Sequence, residues 1–200
     1  ATPQRRRVLQ LGAIWFLTYI CSNTAVAFWK ERMVTDLGWT AGDVARSLGF
    51  AALVSMPAVF YAGKLLDRVG RRPGAVIIYA STALGVLGAY SLEVAPGQHW
   101  PITISLTLAV FGVSAVLVVL NAFTTELMPT AHRGSALAVS NNLLGRVGYV
   151  LAPFGIGWLA QQSNWGRAVQ PTVVFLALAL VLILWLLPET KGMSLDEEHS

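Results

Sequence analysis

The chain has 200 residues and a net charge of +4, with 55% hydrophobic and only 12% charged residues, and a mean hydropathy of +0.60. That balance excludes an ordinary water-facing globular domain. One cysteine, Cys21, excludes a disulfide framework, and basic residues pinned to the ends of apolar blocks show no nucleic-acid-binding pattern.

A bilayer hydrocarbon core of ~30 Å needs roughly 20 residues of helix, and six apolar blocks meet that length: 8–29, 44–66, 74–92, 102–125, 135–159 and 169–187. They lack the alternation of lipid-facing strands, so the expected class is an all-α integral membrane protein, a six-helix transmembrane bundle. The expected domain is residues 8–188, flanked by 1–7 and by a tail over 189–200. The first block is too long for a secretory signal, and five more spans follow it. It carries a polar stripe, Tyr19, Asn23 and Thr24, which either contacts a substrate or hydrogen-bonds between helices. Cys21 lies in the same block and reads as packing.

Between the second and third blocks runs the one short, densely charged connection, Gly63-Lys64-Leu65-Leu66-Asp67-Arg68-Val69-Gly70-Arg71-Arg72-Pro73. Gly63 suits a close helix approach, Gly70 a sharp turn with a left-handed residue, and Pro73 a first helical turn. Arg68, Arg71 and Arg72 face helix carbonyls and lipid phosphates, both of which favour cations. Asp67 sits at the wrong end of its helix dipole. It therefore needs a partner, an arginine of the same turn or the amino-terminus of another helix.

Glycines punctuate the spans at 49, 85, 88, 112, 145, 148, 155 and 157, which supports close helix packing in lipid. The fifth block holds the one charge deep in a span. Arg146 lies about 12 residues, or ~18 Å, past the start of its helix. An arginine there costs roughly 2.5 to 3.5 kcal/mol on insertion scales, so it should face an interior with an anionic or carbonyl partner. Asn141, Asn142 and Tyr149 lie on or near its face. A ligand anion is one such partner; helix carbonyls or a carboxylate outside this chain are the others.

Lysine and arginine set the orientation. Nine lie at the chain ends and in the second and fourth connections, against four on the other side, which predicts cytoplasmic termini in a multi-pass plasma-membrane protein. His99, His132 and His199 all fall outside the spans. No nucleophile–base pair or metal constellation appears inside them, so neither an enzyme nor a metal or cofactor site is expected.

The connection from Gly63 to Arg72 resembles the G-x-L-x-D-R-x-G-R-[RK] signature of the major facilitator superfamily. The stretch Glu126-Leu127-Met128-Pro129-Thr130-Ala131-His132-Arg133-Gly134 is similar to the E-x-x-P-T-x-x-R-G connection of its sugar-porter, organic-ion and metabolite:proton branches. Pro188-Glu189-Thr190-Lys191-Gly192 is similar to the P-E-T-K-G that ends them. The resemblance implies helices seven to twelve of a twelve-helix carrier built from 3+3 inverted repeats, with residues 1–7 ending a cytoplasmic linker and an amino-terminal six-helix half as partner. It implies a conformational latch of Gly63, Asp67, Arg68, Gly70, Arg71, Arg72, Glu126, Arg133 and Glu189. An arginine in the eleventh helix is associated in the family with organic anions, which makes Arg146, Asn141, Asn142, Tyr149, Tyr19 and Asn23 the expected substrate site. The implied activity is proton-coupled transport of a small organic anion by alternating access. Sugar uniport, exchange and a non-transporting six-helix sensor are the alternatives.

Overall fold

The computed structural model describes residues 3–94 and 97–191. Six helices long and apolar enough to cross a membrane organise it: α1 (Pro3–Ala27), α2 (Ala41–Val69), α3 (Arg71–Ser91), α4 (Trp100–Glu126), α5 (Thr130–Gln162) and α6 (Trp165–Leu186). All regular structure among the described residues is helical. Residues 3–7, expected as the end of a linker, already belong to α1; of the expected tail, 192–200 lies outside the described residues.

Local chemistry sets the helix ends. Thr40 and Asp43 form a capping box that starts α2 three residues ahead of the apolar block. Gly70, at φ 110° and ψ 163°, is the only residue between α2 and α3. Its φ is positive, as the turn requires, but its ψ is extended rather than left-handed helical, a combination close to glycine-only. α5 is not regular: a 3₁₀ turn at Thr130–His132 leads into Arg133–Leu137, then a π-helical stretch at Ala138–Gly145, then Arg146–Gln162.

The helices pack so that α3 lies against α4 and α1 against α6, α2 against α4 and α1 against α5, with α3 touching α6 and α1 touching α4. Exchanging α1 with α4, α2 with α5 and α3 with α6 returns the same set of neighbours. This is the signature of two three-helix repeats. The closest crossing joins α3 and α4, where a Cβ on Gly85 would lie 2.4 Å from the Ala109 nitrogen and one on Gly112 2.3 Å from Thr82 Oγ1. Gly63 behaves otherwise. Among the described residues no neighbouring helix lies within 4 Å of its hypothetical Cβ, so none uses the close approach expected of it.

Buried polar bonds tie the layers together in the way lipid-embedded helices demand. Trp15 Nε1 donates to Thr124 Oγ1 at 3.2 Å, joining α1 to α4, and Thr18 and Tyr79 share a 3.0 Å hydroxyl pair between α1 and α3. Cys21 is fully buried. α2 and α5 occupy opposite edges of the bundle and keep the most open faces.

Candidate functional site

Two clusters bring predicted residues together. The first lies at the end of the bundle where α3 and α5 begin and α2, α4 and α6 finish. Arg71, in the first turn of α3, donates Nε and Nη2 to Glu126 Oε1 at 2.9 and 2.6 Å. Its Nη1 reaches Asp67 Oδ1 at 2.6 Å. The Arg71 and Glu126 side chains are 17% and 19% exposed, whereas Asp67 is 69% exposed. The desolvated pair is therefore the stronger one, and Asp67 is held by an arginine one turn on.

Glu189, carried past the end of α6, accepts the backbone N–H of Arg71 at 2.7 Å and of Arg72 at 2.9 Å. A carboxylate there satisfies orphan donors and the positive end of the α3 dipole at once. Burial pushes the Glu189 pKa up, but four backbone donors (Arg72, Arg71, Lys191 and Thr190) outweigh it and hold the carboxyl below its ordinary range. A Cβ on Gly70 would lie 3.0 Å from Glu189 Oε2, a second reason for glycine there.

The remaining latch residues separate. Arg72 bonds the Leu184 carbonyl with its guanidinium. Arg133 Nε donates to the Met128 carbonyl at 3.2 Å and joins no carboxylate of the cluster. Arg68 is exposed, and its carbonyl accepts from Lys191 Nζ. Thr190 is the member that sequence reasoning missed: it is buried, and its hydroxyl donates to Glu126 Oε2. The cluster fastens α2, α3, α4 and the end of α6 to each other.

The second cluster lies between α1 and α5 at mid-span. Tyr19 Oη donates to Asn141 Oδ1 at 2.7 Å, and the Tyr19 and Tyr149 rings meet edge to face at 5.7 Å. Arg146 lies within electrostatic reach of the Tyr19 hydroxyl. Its guanidinium has no carboxylate partner among the described residues, and Arg146 opens onto a groove of about 320 Å³ lined by Leu143, Val147, Val150 and Leu151. Asn142 is exposed.

Asn23 has a backbone role. Pro153 lacks the N–H that would reach the carbonyl four residues back, at Tyr149. Asn23 Nδ2 fills that vacancy, donating to the Tyr149 oxygen at 2.8 Å. Thr24 is likewise occupied within its helix, bonded to the Ile20 and Cys21 carbonyls. Of the stripe on α1, Tyr19 alone presents its polar atom to the α5 side chains that flank Arg146.

With this geometry in hand, the chain matches the family model described as Major Facilitator Superfamily over residues 8–198. The chain belongs to the major facilitator superfamily. Rabbit (Oryctolagus cuniculus) "Solute carrier family 22 member 1" is 30% identical over 199 residues, covering 98% of this chain and 33% of the relative. Rabbit member 2 is 31% identical over 200 residues, again 98% and 33%. The pig (Sus scrofa) member 1 is 29% identical over 186 residues, 92% and 32%. These are carriers, not enzymes. Among solved structures, a double-tryptophan mutant of XylE superposes with a TM-score of 0.71 at 14% identity, covering 95% of this chain and 46% of that one. A D-xylose-proton symporter superposes at 0.59 and 18% identity, covering 94% and 48%. At those identities the likeness establishes the major facilitator fold. The chain spans about a third of the curated relatives it matches and about half of the solved carriers.

Proposed function

We propose that this chain is the carboxy-terminal half of a secondary transporter that moves a small organic anion across the plasma membrane by alternating access, with both of its ends cytoplasmic. The observation that carries the reading is Arg146: a cation without a carboxylate partner among the described residues, about mid-span, beside the Tyr19–Asn141 bond and open to an apolar groove. A charged donor next to an apolar surface is the chemistry that binds a carboxylate with a hydrocarbon or aromatic body. Tyr19, Asn141 and Tyr149 position the ligand, and Asn142 borders the approach. Asn23 acts one step back, by holding the Tyr149 carbonyl.

The coupling ion in this reading is a proton. No aspartate, glutamate or histidine lies near the middle of a described span, so its carrier group belongs to an amino-terminal six-helix partner. The Asp67–Arg71–Glu126–Glu189 cluster is the cytoplasmic latch. By tying α2, α3, α4 and the segment after α6 together it holds the connection rigid, while exposed Arg68 engages the opposing half.

The test is uptake by the complete carrier in proteoliposomes. Arg146→Ala should weaken the apparent affinity for an aromatic monocarboxylate roughly 10- to 100-fold, the effect of one charged hydrogen bond. Arg146→Lys should recover part of it. Unchanged affinity in both variants would remove Arg146 from the substrate site, and uptake indifferent to a proton gradient would replace symport with uniport or exchange.

A further inference from the structure

The end of the bundle opposite the Asp67 connection carries a second charged cluster. The chain does not leave α1 as a loose loop. It makes one turn at Trp29–Glu31 and a π-helical turn at Arg32–Asp36. Arg32 is only 4% exposed. Its Nη1 donates to Asp36 Oδ2 at 3.0 Å and its Nη2 to the Leu92 carbonyl at 3.3 Å, just past the end of α3. The same Asp36 oxygen accepts the backbone N–H of Gly166 at 3.0 Å, in the first turn of α6. Gly166 has no room to spare, since a Cβ there would lie 2.7 Å from the Tyr90 carbonyl and 2.9 Å from Arg32 Cζ. Gln170 Nε2 closes the assembly on the Tyr90 oxygen at 3.0 Å.

Stability alone is a poor account of this arrangement. Removing two charges from water is costly, and an apolar pair of the same volume is often as stable. The buried Arg32 Nε and Trp29 Nε1 are also left without acceptors among the described residues. A buried pair that binds two other helix ends reads better as a device for position.

The repeat relation says which position. The Arg71 cluster joins the start of α3, the end of α4 and the segment after α6. Exchanging α1 with α4 and α3 with α6 converts these three places into the start of α6, the end of α1 and the segment after α3. Those are the places where Gly166, Arg32 with Asp36, and Leu92 are found. Both clusters set a carboxylate on the exposed N–H groups of the third helix of a repeat and an arginine beside it. The residues come from different segments, so shared geometry relates them rather than shared sequence.

We infer that Arg32 and Asp36 are positioning residues of the transport cycle, a second clamp that fixes α1, α3 and α6 to one another at the far end. The inference rests on the carrier reading. Rocking transmits motion only if each half moves as a rigid body, and a bundle fastened at one end alone splays at the other. The far-end clamp keeps α1, which bears Tyr19, in register with α3 and α6, which the Arg71 cluster ties at the other end.

The experiment uses the complete carrier, reading local amide hydrogen exchange and uptake of an aromatic monocarboxylate over a concentration series. Asp36→Asn should raise exchange at residues 165–169 roughly tenfold, the scale of a lost helix cap, while 71–75 keep wild-type protection. It should lower the maximal uptake rate and leave KM within about twofold. Arg32→Lys should show a milder form of the same pattern, and Asp36→Glu should restore the wild-type values. The reversed pair, Arg32→Asp with Asp36→Arg, should not restore them, because it puts no carboxylate on the Gly166 N–H. Unchanged exchange at 165–169, a raised KM with an unchanged maximal rate, or a reversed pair that behaves as wild type would each overturn the clamp. The exchange arm is independent of transport. A wild-type carrier that moves no organic anion would overturn the carrier reading instead.

Discussion

Arg71 shows how much a single side chain can organise. Its bonds to the two carboxylates differ in worth because their surroundings differ: the Glu126 carboxylate is largely withdrawn from water and Asp67 is not. Glu126→Gln should therefore lower the thermal stability of the purified protein by about 2 kcal/mol, and Asp67→Asn by under about 1 kcal/mol; equal losses would contradict the ranking. Glu189 adds a pH signature. Its pKa lies below the ordinary carboxylate range, so its contribution is complete above the unfolded value of about 4.3 and is lost as pH falls through the lowered one. Protection of the amides in the first turn of α3, taken relative to their intrinsic exchange rate at each pH, should stay flat from neutral pH down to about 5 and fall only in more acid solution, and Glu189→Gln should abolish that acid step. Sequence reasoning reaches Asp67 and its arginine because the two lie four residues apart on either side of the Gly70 turn. It misses Thr190, whose hydroxyl meets Glu126 only because the chain turns back after Leu187.

The helices obey their composition closely in number and length, and depart from it where packing decides. The break at Ala138–Gly145 has no periodic signal, since π-helical turns are set by what a helix packs against rather than by apolar spacing. Here that neighbour is α1: a Cβ on Gly145 would lie 2.8 Å from Trp15 Cβ, and one on Gly148 2.5 Å from the Phe16 carbonyl. The Asn23 bond to Tyr149 is another case where one helix repairs another. Asn23→Ala should cost about 0.6 to 1.7 kcal/mol. In a Pro153→Ala background, which returns an N–H to that carbonyl, the same change should cost much less; strictly additive losses in the double-mutant cycle would argue against the repair. At the α3–α4 crossing, Gly112→Ala should destabilise by about 1–3 kcal/mol, because the methyl meets Thr82 Oγ1 and Cα. Thermal unfolding in detergent reads both.

At the scale of the molecule, the six spans and the charged connection are plain in the sequence because bilayer thickness and the positive-inside bias are strong constraints. The far-end cluster is not. Arg32 and Asp36 look like ordinary loop charges until the folding of α3 and α6 against α1 buries them. What the bundle then offers is a half fastened at both ends, with Arg146 turned toward an open face between them. The most direct measurement is the sidedness of a thiol beside that arginine. In the complete carrier with Cys21→Ser, Asn142→Cys should react with a membrane-impermeant reagent from either side of the bilayer, and an anionic substrate should slow the reaction from both. Reaction from one side only, unaffected by substrate, would contradict alternating access around Arg146.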